Sequence, residues 1–276
     1  MLKITALIEN KPSGNRALIN EHGLSLLLDN GKDRIIFDCG SGCHFLHNAH
    51  KLGISLSGLS AVVLSHSHYD HAAGFRDFAE AGYKAPRLYV GKGFFKKKYS
   101  KSGIRYTDLS AGWDEEFAIS HGFALYEIAG DREILPGITI YQGFERKHPE
   151  ETIPERFVKE TDKGFVKDDF SDEIALSVET EKGLVLIVGC SHPGILNMVD
   201  AVKERSGKNI YALFGGTHLA EADEKRIHSS LDGLRHYGLD IIGMCHCSGQ
   251  KAEEIAANEL GEAAACLSVG DSVVIK

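Results

Sequence analysis

Ala61-Val62-Val63-Leu64-Ser65-His66-Ser67-His68-Tyr69-Asp70-His71 sets three imidazoles and a carboxylate directly behind a β-branched and aliphatic run. Such a run reads as a buried strand, and on an extended chain residues two apart point to the same side. His66 and His68 can therefore grip one cation together. A turn into helix at Asp70-His71, with Gly74 soon after, swings those two side chains toward a second cation beside the first. Imidazole with some carboxylate suits Zn²⁺, with Fe and Mn as the other candidates. A histidine-rich surface loop is the bland alternative, and it leaves the strand-end spacing beside an acid without a reason.

The H-x-H-x-D-H pattern of His66, His68, Asp70 and His71 resembles the signature of the metallo-β-lactamase superfamily. Upstream, Arg34-Ile35-Ile36-Phe37-Asp38-Cys39-Gly40 reads as a strand returning from a hairpin turn at Asn30-Gly31. In the superfamily an aspartate before a glycine at this point supports the metal site from behind its ligands. The physical reason is that a ligating histidine wants its other ring N–H held by a carboxylate. Asp38 is the candidate for that part, its plain alternative being a turn-favouring residue. Antiparallel hairpins at the amino end, followed by strand–helix alternation, indicate a mixed sheet.

The 276 residues suffice for one large domain or two small ones. A formal net charge of -8 argues against a general nucleic-acid binder. With no apolar leader-like run and no stretch approaching a membrane span, a cytoplasmic protein is expected. Six cysteines are too scattered for a disulfide scaffold, and Cys190, Cys245 and Cys247 lie beside histidines, which suits a reducing compartment. From Gly91 to about Asp169 the periodicity loosens, with strands expected only near 123–128 and 138–141. That stretch reads as a lid or substrate insertion, at about 91–169, in a single domain spanning 1–276. Within it Lys96-Lys97-Lys98, Lys101 and Arg105 form a basic group read as a solvated face, or else as a contact for an anionic substrate.

One event recurs four times: an apolar strand ends and a histidine follows, at His66, His192, His218 and His246. Loops gathered at one sheet edge would bring these together. With Glu21-His22-Gly23-Leu24-Ser25, Gly189-Cys190-Ser191-His192-Pro193-Gly194-Ile195, Gly215-Gly216-Thr217-His218-Leu219 and His246-Cys247-Ser248-Gly249, the resemblance narrows to a subgroup. Its members are dihydropterin–ribofuranosylaminobenzene-phosphate synthases and metal-dependent hydrolases. The resemblance implies an α/β (α+β) αββα four-layer sandwich of two mixed β-sheets with helices outside. It also implies two divalent metal ions, Zn²⁺ foremost: His66, His68 and His192 on the first, Asp70, His71 and His246 on the second. His148 is the fallback donor. The superfamily's metal-bridging aspartate is replaced here by Cys190, which leaves a bridging thiolate, a bridge of water alone or a weakened second site.

The expected chemistry is hydrolysis by a metal-activated hydroxide of an ester, thioester or phosphoester of a small, anionic metabolite. Asp70 would orient the hydroxide or take its proton. His218 is a candidate general acid, and both His218 and His22 are candidate substrate contacts. The alternatives are a synthase-type transferase joining a dihydropterin to an aminobenzene ribose phosphate, and a non-catalytic, metal-stabilised binding protein. The sequence says nothing of oligomeric state.

Overall fold

Period-two alternation sorts the apolar residues onto the two faces of two long sheets. In the computed structural model, which describes residues 1–276, the first sheet runs β18 (Ser272–Ile275), β1 (Leu2–Ile8), β2 (Ser25–Asp29), β3 (Arg34–Phe37), β4 (Ala61–Val63), β5 (Arg87–Gly91), β8 (Ala124–Ile128). The second runs β17 (Ala264–Cys266), β16 (Ile241–Met244), β15 (Ile210–Gly215), β14 (Gly183–Ile187), β13 (Ile174–Thr180), β10 (Ile138–Gln142), β9 (Arg132–Leu135). Both are mixed: β1, β2 and β3 pair antiparallel while β3, β4, β5 and β8 pair parallel, and β14, β15 and β16 are parallel beside antiparallel β10 and β13.

Val185 and Ile187 of β14 face the first sheet and join one core with Leu26, Phe37, Val63, Leu176 and Phe214. Their alternates Leu184 and Leu186 face outward, where α5 (Ile195–Ser206), α6 (Glu224–His236) and α7 (Gln250–Leu260) cover them with Leu196, Val199, Leu231 and Ala256. On the opposite side Ile36, Val62 and Leu88 meet Phe45 of α1 (His44–Lys51), Phe75 and Phe78 of α3 (Gly74–Glu80) and Ala118 of α4 (Glu115–Ser120). This is the expected αββα sandwich. No helix is long and apolar enough to cross a membrane.

The stretch after β5 holds more structure than the sequence suggests. β6 (Lys98–Ser102), β7 (Arg105–Asp108), β11 (Phe157–Thr161) and β12 (Gly164–Lys167) form a third, four-stranded sheet, while β8, β9 and β10 return to the main sheets. These strands escape sequence reading because they are short and mostly polar, with β7 and β12 exposed along their whole length.

The basic group is likewise not one solvated face. Lys98 is fully buried, its ammonium 2.5 Å from Asp172, 3.3 Å from Asp168 and 4.3 Å above the Phe170 ring. Lys98→Met would leave two buried carboxylates without their cation. We expect it to cost about 3 kcal/mol in urea unfolding; a loss below about 1 kcal/mol would mean that the ion pair does not hold the third sheet down.

Candidate metal centre

β1, β3 and β4 point the same way, and so do β14, β15 and β16; the polar residues that follow these strands meet at one edge of the sandwich. Such carboxyl-end edges are where open α/β sheets expose loops without cutting into their cores. Asp38 follows β3 and His66 follows β4, while Cys190 and His192 follow β14. His218 follows β15, and His246 follows β16. Asp70 and His71 sit on the short helix α2 (Tyr69–Ala72), which begins as soon as His68 has turned.

The donors fall into overlapping groups. His66, His68 and His192 lie within 4.8 Å of one another, as do His22, Asp70 and His246. His71 Nε2 stands 3.2 Å from His246 Nε2, which is 3.2 Å from Asp70 Oδ2. Cys190 Sγ lies 3.1 Å from His71 Nε2 and groups with both His66 and His246, so it sits between the two sets. Six expected donors and the cysteine are therefore brought together. His148 is not among them; its Nε2 is 2.8 Å from Asp200 instead.

Hydrogen bonds fix which nitrogen each ring presents. The Asp38 carboxylate accepts from the Ser65 backbone N–H at 2.7 Å, from Ser65 Oγ at 2.7 Å and from His71 Nδ1 at 2.6 Å. Ser65 has thereby committed its only hydroxyl hydrogen, so at 2.9 Å it accepts from His66 Nδ1. Asn10 Oδ1 accepts from His246 Nδ1 at 2.9 Å. His66, His71 and His246 thus all turn Nε2 inward, and at His66 and His246, which burial holds neutral, that nitrogen bears the lone pair. His66 Nε2, His68 Nε2 and both ring nitrogens of His192 are buried without any partner.

This arrangement fits cations. Orphaned buried nitrogens are costly, and His71 Nε2 and His246 Nε2 face each other at 3.2 Å, which requires positive charge between them, either a proton on His71 or a metal ion in its place. Burial alone would push His71 down, but the Asp38 and Asp70 carboxylates outweigh it and lift the ring to about 9. Burial holds His66, His68 and His192 well below the usual histidine range, as neutral ligands require. Burial opposes ionisation of Asp70, yet His71, His22 and His246 carry its carboxyl well below the ordinary value.

Two pairs of residues outside the sequence reading hold the donors in place. Asp172 accepts from the Ser67 N–H at 3.2 Å, and Glu173 accepts from the N–H groups of Ser191 at 2.6 Å and His192 at 2.9 Å. Glu9 accepts from the His246 N–H, while Asn10 takes its ring. A Cβ on Gly189 would overlap Ser65 Oγ, and one on Gly216 would overlap Cys247 Sγ, so both loops need glycine there to approach. The five non-glycine residues with positive φ, Asp38 (59°), Phe170 (51°), Ser191 (60°), His218 (51°) and His246 (48°), all belong to this site or its wall. Strained backbone of this kind gathers where function over-determines the structure.

Above the donors opens a cavity of about 360 Å³, lined by His22, Tyr69, Arg156, Phe157, His218 and Cys247 among others. His22 is exposed at its rim, 3.1 Å from Asp70. Burial, with Arg226 and Arg156 nearby, pushes His218 down to about 3, so it is a neutral imidazole at pH 7. Ser100 and Phe157 of the third sheet face the cavity, with Arg156 just before β11, and none of the expected lysines does.

The sequence pattern of the family described as the metallo-β-lactamase superfamily matches residues 19–193. A 7,8-dihydropterin-6-methyl-4-(β-D-ribofuranosyl)-aminobenzene-5'-phosphate synthase of Methanocaldococcus jannaschii is 32% identical, over 95% of this chain and 92% of that protein. An uncharacterised protein of the same organism is 31% identical over 91% of this chain and 92% of its own length. A crystal structure described as a metal-dependent hydrolase of the β-lactamase superfamily superposes with a TM-score of 0.86 and 28% identity, covering 100% of this chain and 99% of the other.

Proposed function

This chain belongs to the metallo-β-lactamase superfamily, and from that premise we propose that it is a metal-dependent hydrolase acting on an ester, thioester or phosphoester of a small anionic metabolite. The observation that carries the reading is the set of buried ring nitrogens turned inward on the floor of an open cavity, those of His66, His68 and His192 without any partner. His66, His68 and His192 would hold one divalent ion and Asp70, His71 and His246 a second, with Cys190 between them. Zn²⁺ is the foremost candidate, with Fe and Mn behind it. Such ions, when bound, supply Lewis acidity and make hydroxide available near neutral pH.

The chain's own groups do the rest. Asp70, ionised and tied to His22 and His246, orients a water toward the cavity. Neutral His218 donates or accepts a hydrogen bond at the substrate's reacting end rather than acting as a cationic acid. Arg156 stacks its guanidinium 4.1 Å over the Phe157 ring at the cavity wall and is held there by both oxygens of Glu221, so an anionic substituent would share it with that carboxylate. Of residues 91–169, the third sheet and its flanks thus act as the substrate insertion of one metallo-β-lactamase-like domain, β8, β9 and β10 belonging to the main sheets, and the acidic balance of the chain leaves nucleic acid a poor partner.

A second reading has its own support, the 32% identity to a synthase across nearly the whole chain. In it the same site joins a dihydropterin to an aminobenzene ribose phosphate, with a diphosphate leaving. Product analysis separates the two. Metal-loaded protein is given a panel of esters, thioesters and phosphoesters, and separately a dihydropterin diphosphate with the aminobenzene ribose phosphate. Saturable hydrolysis of one panel class is expected, and a joined pterin–aminobenzene product formed in preference to any hydrolysis would overturn the hydrolase reading.

A further inference from the structure

The second half of the chain offers sulfur as well as nitrogen to the site. Cys190 and Cys247 come from different loops, after β14 and after β16, yet Cys190, His246 and Cys247 form a donor group whose ligand atoms all lie within 4.8 Å. Cys247 Sγ rests 3.4 Å from the Cys190 carbonyl oxygen, in a space that exists only because Gly216 has no Cβ. Cys190 is buried with its sulfur 3.1 Å from His71 Nε2, and both cysteines line the cavity. The other four are elsewhere in role: Cys39 and Cys245 are buried apolar filler, while Cys43 and Cys266 are exposed and belong to none of the candidate metal-binding groups.

We propose that Cys190 and Cys247 are thiolate ligands of the ion held by Asp70, His71 and His246, so that this position is a soft site selecting a thiophilic divalent ion. The inference rests on the two-ion reading above and deepens it by naming the class of metal. The physical ground is ligand softness: hard ions such as Mg²⁺ and Mn²⁺ prefer oxygen, whereas two thiolates beside imidazole suit Zn²⁺, Fe²⁺, Co²⁺ and Cd²⁺. A carboxylate at position 190 would keep the site oxygen-rich and permissive to hard ions. A sulfur reaching toward both donor sets, with a second one behind it, does the opposite. Each thiol gives up its proton to solvent as the ion enters, and no electron transfer is involved.

The test is to load the full-length apoprotein with Co²⁺ and record both metal content and absorption. Thiolate coordination gives an intense near-ultraviolet sulfur-to-cobalt charge-transfer band, separate from the weak visible bands that any cobalt–histidine site shows. We expect the band in the parent, reduced in Cys247→Ser and in Cys190→Ser and gone in the double variant, with Cd²⁺ affinity falling by about 100-fold relative to Mn²⁺ affinity. In the parent alone, cobalt should protect Cys190 and Cys247 from iodoacetamide while Cys43 and Cys266 react equally with and without metal. That control keeps the proposal testable if a variant fails to fold. Two equivalents of cobalt without a charge-transfer band, or without protection of either cysteine, would overturn the sulfur ligation and leave the two-ion reading standing. Protein that takes up no cobalt would overturn both.

Discussion

Protein carrying His192→Ala is expected to bind about one divalent ion per chain where the parent binds about two, and to lose hydrolytic activity by at least about 100-fold. The argument rests on what the imidazole touches. His192 is the only member of the first donor set contributed by the second sheet, and both of its ring nitrogens are buried without a partner. Without it His66 and His68 remain as a two-nitrogen site, short of the three protein ligands that catalytic zinc sites keep. The second donor set is anchored independently, through Asp38, Asn10 and Glu9, so its ion should stay. The fold should survive as well, because Glu173 grips the backbone of residues 191 and 192 rather than the ring. Elemental analysis after gel filtration, alongside the circular dichroism spectrum, makes the measurement. Two ions retained would remove His192 from the ligand set, and both ions lost would mean that the two positions cannot be filled separately.

Much of this site is legible in the sequence because its donors follow a rule the sequence displays: an apolar strand ends and a histidine comes next. The rule works since parallel strands deliver their carboxyl ends to one edge. It reaches further than the histidines. β1 runs parallel to β3 in space, and the residues after it, Glu9 and Asn10, arrive at the same edge to hold His246. Reading strand ends for carboxylates and amides, and not for ligands alone, would have found them. Asp172 and Glu173 are visible in the same way, as two acids entering the apolar strand Ile174–Thr180, where an acid has to be paired or hydrogen-bonded to be buried at all.

What the sequence hides depends on partners distant along the chain. Lys98 reads as part of a solvated run until Asp168 and Asp172, some seventy residues on, close around it. The third sheet is hidden because its strands bury little, leaving no apolar period to detect. The left-handed backbone at Asp38, Ser191, His218 and His246 carries no signal either, since nothing in those residue types demands it. It is imposed by the loops' convergence on the donors.

The most telling single atom change lies behind the ligands, at Asp38. Asp38→Ala removes the acceptor of three hydrogen bonds in a fully buried position and puts alanine at a φ of 59°. A stability loss of about 3–5 kcal/mol is expected, since His71 and Ser65 are left unsatisfied out of reach of water. Asp38→Asn asks a finer question. Asparagine tolerates the left-handed backbone, and its carbonyl oxygen can keep the Ser65 N–H. Its amide nitrogen then stands where the carboxylate accepted from Ser65 Oγ and His71 Nδ1, so His71 must accept there and carry its hydrogen on Nε2 instead. Ser65, no longer committed as a donor, is freed to turn its hydrogen on His66 Nδ1 and move that ring the same way. The rings keep their places but turn an N–H, not a lone pair, toward the metal positions. We therefore expect Asp38→Asn to fold, at a cost nearer 1–2 kcal/mol, while metal affinity falls by about 10–100-fold, read by competition with a coloured chelator. Unchanged affinity in a folded Asp38→Asn protein would show that the carboxylate does not set the ring tautomers, and that the site is held by geometry alone.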